Sequence, residues 1–574
     1  MRISHDYGSY AIFTHAFTEA IFGARTKRRA PQREGIKSMA SGQSTGKRFL
    51  RRDAGIIGLL FASVTSVIGS GWLFGPLQAS TIAGPLSVWS WIIGAGIVLL
   101  IALCFSELGT LFPRSGALVH MSHASHGTGL GRIWAWLLYL SYAAIPAVEA
   151  EGVVTYANNY LPYFIRPHTN GMLSLTGYIA CAILLGIFCL INLFTIKKLL
   201  TINSALTWFK IGVPILTIVI FFIATASKAH WGVWHAAPHS YKSIGMFTAI
   251  PTAGIVFSYL GFRTAIDLGG ESRNPGRNIP IAVIGSVLIS AAIYILLQIV
   301  FIKALQPQDL AKGWANLAFA GSAGPFAGLA AILGVSWLAT LLYVDSFISP
   351  SGTGLIYTTA GARVLFAAGE TNSGPKGLTK LTASSQVPWV GILIMWIVGI
   401  FFLLPFPAWQ LMVNYITSVT VLTYGLGPIT LMVLRHTQPD LQRQFKLWGS
   451  NILAPLAFIF SDLIIFWTGF ANDNVMFIIL VVGFIAYAIY YHFFAKNDPA
   501  QFGWRGMSWL LPWFGGLWIL SYLSNLGGGI GLIGFWPGVI IVTIWSLFII
   551  WLAMRLALPA EETRKVMAEL DQTL

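Results

Sequence analysis

Apolar runs of roughly twenty residues, parted by short charged or Pro/Gly-rich breaks, recur along the chain after residue 55. A hydrocarbon core ~30 Å thick takes about 20 helical residues, so each run has the length of one crossing. The pattern predicts about fourteen membrane-spanning helices, near 56–80, 84–112, 131–160, 172–195, 199–226, 245–269, 281–305, 326–358, 389–405, 408–434, 452–470, 474–495, 508–526 and 536–557.

Two of these runs are interrupted. The first contains Ile68-Gly69-Ser70-Gly71, and two glycines around a serine are poor helix formers. In lipid an unwound backbone survives only where protein or a water-filled cavity satisfies its freed groups. Unwinding there would leave the N-terminus of a second half-helix pointing into the protein, with free N–H groups suited to a carboxylate. Alternatively, small residues there simply let membrane helices pack closely. The sixth run carries Phe257-Ser258-Tyr259-Leu260-Gly261-Phe262-Arg263, with Gly261 about as deep in its span as Gly71 is in the first. Two breaks five spans apart predict a five-plus-five inverted repeat with one binding site between the broken helices.

Composition agrees with an all-α polytopic membrane protein. Of 574 residues, 56% are hydrophobic and only 10% charged, too little polar surface for a soluble chain of this size. The net charge of +15 raises nucleic acid as a partner, but charge in such a protein must first be sorted by side of the bilayer. With the N-terminus cytoplasmic, only Arg166, Lys228, Lys242, Lys303 and Lys312 of the 35 Lys and Arg fall outside, and only Lys210 and Arg263 within spans. The positive-inside rule therefore places both termini in the cytoplasm, and the charge describes topology, not a nucleic-acid partner.

The expected organisation is a basic tail over 1–53, a ten-helix transport core over 54–435, four additional helices over 436–558 and a cytoplasmic segment over 559–574. The tail is expected to be disordered, held at the leaflet by Arg25, Lys27, Arg28 and Arg29. It does not have the apolar stretch of a cleavable signal, and Met39 is an alternative start. The last helices read as scaffold or an oligomer face, and the pattern leaves the oligomeric state open. Cys104, Cys181 and Cys189 all fall in apolar runs, with no metal or disulfide spacing.

Ionisable residues inside spans are costly and mark functional sites. Lys210 lies about ten residues into the fifth span, near midplane at ~1.5 Å per residue, where it must have a partner or lose its proton. That suits it to releasing and rebinding a proton. Arg263 lies just after the second break, with Asp267 four residues on as an available counter-charge. Either the two form a local ion pair, or the guanidinium fork meets an anionic substrate group bidentately. Asp345 in the eighth span is a candidate partner of Lys210 or Arg263. Glu149 and Glu151 in the third point about 200° apart, so at most one lines the site. Near the cytoplasmic face Glu107 is expected to pair with Arg114, and His120, His123 and His126 read as an interfacial helix, not a metal site.

Gly69-Ser70-Gly71, the stretch from Glu107-Leu108-Gly109 to Pro113-Arg114-Ser115-Gly116, and Glu271-Ser272-Arg273-Asn274-Pro275-Gly276-Arg277-Asn278-Ile279-Pro280 together resemble the amino acid–polyamine–organocation transporters over residues 54–435. The resemblance implies an amino acid bound at the two breaks. Its α-carboxylate would meet N–H groups at Ser70 and Gly71, and its ammonium the carbonyls around Ile68 and Phe257. It also implies Lys210 as the proton-coupling residue, with a proton as coupling ion and no cofactor. Many members carry an acidic residue where this chain has Arg263, and the Gly-Phe-Arg stretch is similar to that of bacterial aspartate–proton symporters. The expected function is thus proton-coupled import of aspartate or glutamate by alternating access in the cell membrane. A neutral amino acid permease or exchanger, with Arg263 tied to Asp267, and a sensor of the same fold are the alternatives. No nucleophile, metal cluster or acid/base pair of a membrane enzyme is visible.

Overall fold

A computed structural model describes residues 54–574 apart from 168, 170, 195, 227–229, 236–242, 320, 322–323, 372, 405–407, 495–502 and 573–574; the basic stretch 1–53 lies outside the described residues. Each apolar run folds as a helix because lipid leaves backbone groups no partner but their own helix. In chain order the helices are α1 (Ile56–Val67), α2 (Gly71–Ala83), α3 (Ser87–Leu111), α4 (Ala117–His126), α5 (Thr128–Ala157), α6 (Leu175–Asn192) and α7 (Ile196–Ala226). The sixth run gives α8 (Gly245–Thr252), α9 (Ile255–Ser258), a 3-10 turn at Leu260–Arg263 and α10 (Thr264–Asp267). Then follow α11 (Pro275–Ala304), α12 (Pro325–Ile332), α13 (Ser336–Glu370), α14 (Trp389–Leu403), α15 (Trp409–Thr437), α16 (Ser450–Thr468), α17 (Phe470–Phe494), α18 (Trp504–Met507), α19 (Leu510–Leu523), α20 (Phe535–Leu556) and α21 (Ala560–Gln572). No β-strand forms among the described residues, only isolated bridges.

Every one of the expected spans coincides with a helix or a broken set of helices. Among the described residues eight helical segments are long and apolar enough to cross a bilayer, and Gly245–Thr252 with Ile255–Asp267, bent by 50°, makes a ninth if the pair is one span. The eighth run differs from expectation in two ways. It is split, because Gly334 takes a left-handed φ of 82° that ends α12, and α13 runs on to Glu370, carrying Arg363 with it.

The most extensive packing is between α5 and α13 and between α3 and α11, which are the third with the eighth and the second with the seventh spans. These are the pairs that a five-plus-five repeat relates to one another. The helices α5 and α15 are buried on nearly every face, whereas α6 and α20 turn most of their surface outward. Among the later helices Asp462 accepts hydrogen bonds from Trp513 Nε1 (2.8 Å) and Ser546 Oγ (2.7 Å). A second buried acid there, Asp473, accepts from Ser521 Oγ (2.6 Å).

The short helix α4 is covered by protein on most of its surface. It is buried against α5, α13 and α15 and covered by α21, with His126 spent on Ala553 O (3.1 Å) and Ser125 Oγ (2.9 Å). Glu107 does not need Arg114 for its charge. It takes Arg435 (2.6 Å), Arg443 (2.9 Å) and the Leu447 N–H (2.6 Å), joining α3 to the end of α15 and the segment after it.

Candidate functional site

The first break is short. Ile68 leaves the helix at φ −84°, ψ 86°, and α2 restarts at Gly71. Between them the Ser70 N–H is free of the helix ladder, and it donates to Glu149 Oε2 at 2.7 Å. A Cβ on Gly69 would stand 2.4 Å from Glu149 Oε1, so the carboxylate lies directly on the unwound backbone. Trp409 Nε1 donates to Ser70 Oγ (2.9 Å), and Tyr294 OH to Val67 O (2.8 Å), closing the other sides.

The second break is longer than one glycine. The bend comes at Ala253-Gly254, where Gly254 has φ 79°, and the chain then passes through one α-turn, a 3-10 turn and another α-turn. The two breaks touch reciprocally. A Cβ on Gly261 would fall 2.3 Å from Ser66 C and Val67 N, and one on Gly71 would fall 2.2 Å from Ser258 Oγ. Packing and unwinding, offered above as alternatives for the first break, are therefore combined at Gly71. Ile68, Gly69, Ser70, Gly71, Phe257, Ser258, Gly261 and Arg263 are all buried, so the site is occluded on every side. Ile68 O accepts from Thr353 Oγ1 (3.2 Å), and Phe257 O from the Tyr259 N–H.

Lys210 reaches the same break from α7. Its Nζ donates to Thr65 O (2.6 Å) and Thr353 Oγ1 (2.9 Å), and Thr353 Oγ1 donates in turn to Thr65 O (2.7 Å). The ammonium thus caps the C-terminal end of α1, where carbonyls lack helix partners. Glu149 and Asp345 are the carboxylates near enough to act on its charge, yet neither forms a direct ion pair with it. Asp345 instead accepts from Ser349 Oγ (2.8 Å) on its own helix.

Arg263 lies apart from Lys210 and Glu149. Its Nη1 donates to Thr423 Oγ1 (2.6 Å), and its guanidinium carbon sits 4.5 Å from the Tyr424 ring centroid and 5.2 Å from that of Tyr142. It is 1% exposed, and Nε and Nη2 have no hydrogen-bond partner. The ion pair with Asp267, one of the two alternatives above, is not made: Asp267 accepts from Tyr142 OH (2.5 Å) while its Oδ1 stays unpartnered. The carboxylates Asp267, Asp345 and Glu149 are thus all near the core cations and none is bonded to one. Glu151, on the opposite side of α5 from Glu149, is buried with neither oxygen hydrogen-bonded.

On the side of Ala54, Gly116 and Glu271 the core is closed. Arg363 Nε meets Glu271 Oε1 at 2.5 Å with both side chains buried, the Gly116 N–H donates to Asp267 O (3.0 Å), and the Ala54 N–H to Glu271 O (2.9 Å). The Gly116–Asp267 and Ala54–Glu271 bonds join the first repeat to the second, while Arg363 and Glu271 tie two parts of the second repeat together.

Residues 55–486 match the amino acid permease family. The chain belongs to that family. Over 513 residues, 88% of this chain and 93% of the relative, the permease is 37% identical to the glutamate/serine transporter AimA of Bacillus subtilis. It is 31% identical to that organism's aspartate-proton symporter, over 89% of this chain and 97% of the relative. Similarity falls to 24% with the branched-chain amino acid permease BcaP of the same organism. These relatives are transporters, and the permease is a multi-pass membrane transporter of amino acids, not an enzyme.

Several residues around the permease's breaks were not singled out from sequence: Thr65, Tyr142, Tyr294, Trp409, Thr423 and Tyr424. Each is an ordinary apolar-run residue, brought to the breaks by helices that contact α1 or the sixth span only in three dimensions. Thr353 had a signal, a hydroxyl near a helix proline, but one that pointed to its own helix and not across to Lys210.

Proposed function

We propose that the permease carries an acidic amino acid, aspartate or glutamate, together with a proton across the cell membrane by alternating access, with both termini cytoplasmic. The observation that carries the acidic substrate is Arg263: a buried guanidinium with two nitrogens unbonded and no carboxylate in contact, although Asp267 is four residues away. A buried cation without a counter-charge is costly, and a substrate side-chain carboxylate would supply one. The names of the two most similar relatives described above support the same substrate class. In this reading the α-carboxylate takes the Ser70 and Gly71 N–H groups, the ammonium takes the Ile68 and Phe257 carbonyls, and the side chain reaches Arg263 once the breaks part. The proton is the coupling ion, no cofactor takes part, and Lys210 stands where the coupling group is expected.

The test is counterflow in proteoliposomes with aspartate and asparagine, which are nearly isosteric and differ in charge. Arg263→Met is expected to cut aspartate affinity by about 2–5 kcal/mol and to leave asparagine nearly unchanged. An unchanged aspartate-to-asparagine ratio would put neutral amino acids in front, and no counterflow with any amino acid would leave a sensor.

A further inference from the structure

The group that fills the expected carboxylate position in this structure is a side chain of the permease itself. One N–H cannot give the same hydrogen bond to two carboxylates, and Glu149 Oε2 already holds that of Ser70 at 2.7 Å. Its Oε1 fills the space over Gly69, where even a methyl group would collide. We infer that Glu149 is an internal stand-in for the substrate carboxylate: it occupies the Ser70 amide while the site is empty, and an amino acid binds by displacing it, the displaced side chain taking up a proton. This rests on the transport reading above and moves the coupling proton from Lys210 to Glu149.

The displacement is competitive, and its charge balance fixes the proton. Before binding, the first break holds one carboxylate on one amide. After binding, the amide holds the substrate carboxylate, and Glu149 remains in a fully buried place without its hydrogen bond from Ser70. Two carboxylates confined together in low dielectric cannot both stay ionised, so one proton from water joins Glu149 as substrate enters. On release the reverse occurs: Glu149 returns to the amide and gives the proton up.

The groups facing Glu149 from neighbouring helices do not provide another way to balance the charge. Lys210 of α7 is the cation in reach, and it is bonded to Thr65 O and Thr353 Oγ1 and not to Glu149. Tyr294 of α11 spends its hydroxyl on Val67 O, and Tyr357 of α13 is the other titratable neighbour. Asp345, also on α13, faces Lys210, and its charge adds to the negative side. Trp409 of α15 brings no charge, and Glu151 is on the far side of α5. Lys210 serves to favour whichever carboxylate lies at the break, its own proton staying in place.

The experiment is calorimetric titration of the purified permease in lipid nanodiscs with L-aspartate and, as a neutral probe, L-serine. Two buffers of different ionisation enthalpy report protons taken up per ligand bound. Wild type is expected to take up close to one proton, with affinity weakening up to about tenfold per pH unit as pH rises. Glu149→Gln keeps an amide oxygen for Ser70 but does not titrate. It is expected to bind without proton uptake, with an affinity that does not change with pH. Glu149→Asp retains a carboxyl on a shorter arm and should keep the uptake, which separates titration from mere packing. Proton uptake persisting in Glu149→Gln would overturn the inference and return the proton to Lys210, with amino acid transport intact. Wild type binding neither probe nor any other common amino acid would overturn the transport reading and this inference with it.

Discussion

Arg263, Gly71 and Gly261 show how far single residues could be read. Their types and depth in the spans were enough to mark them, since a guanidinium and a helix-breaking glycine are both out of place in a lipid-spanning helix. What they touch was not legible, because the partners come from elements far away in sequence. The nearest candidate for Arg263, Asp267, proved to be bonded to a tyrosine. The two glycines also differ in a way that sequence does not show. A methyl on Gly261 meets backbone atoms of Ser66 and Val67, which cannot rotate aside, while one on Gly71 meets chiefly the Ser258 hydroxyl. Gly261→Ala is therefore expected to lose about 1–3 kcal/mol or more, and Gly71→Ala less. Thermal unfolding in detergent checks the order, and Ser258→Gly should restore much of the loss in Gly71→Ala and none in Gly261→Ala.

At the scale of elements, the spans themselves were legible from apolar length alone, because the bilayer imposes one helix per crossing. The second break was legible as a place and not as a shape: its bend falls at Gly254, while attention went to Gly261. What covers helix α4 was not legible, since ten mixed residues look the same whether water or another helix lies on them, and α21 supplies the cover. That cover has a consequence for pH. Burial pushes His120 down to about 3 and His126 to about 4, from the usual 6.5, so both are neutral when folded. Between about pH 6.5 and 4 the unfolded chain binds more protons than the folded one, and stability is lost as pH falls through that window. Each histidine contributes at most about 1.4 kcal/mol per pH unit. Unfolding temperatures taken between about pH 7 and 5 should fall, and fall less steeply in His126→Gln.

For the whole molecule, the five-plus-five plan could be anticipated from the two breaks, because their spacing alone implies it. The ionic contacts around Glu107 and Glu271 could not. Glu271 meets Arg363, and Glu107 meets Arg435 and Arg443, across intervals that no local rule spans. Glu107 illustrates this: the nearby Arg114 was the obvious choice, and the actual partners lie beyond the tenth span.

The bond between Glu149 and the Ser70 amide also has an electrical side. If one carboxylate replaces another and a proton arrives with it, then aspartate, with one net negative charge, enters a carrier whose total charge is the same loaded as empty. A field across the bilayer does work of ~2.3 kcal/mol per 100 mV on each elementary charge moved, and here it would have no charge to move. Aspartate uptake into proteoliposomes should then follow an imposed pH difference and ignore a potassium diffusion potential. Serine, carrying the same proton without the extra carboxylate, should be drawn inward by a negative interior.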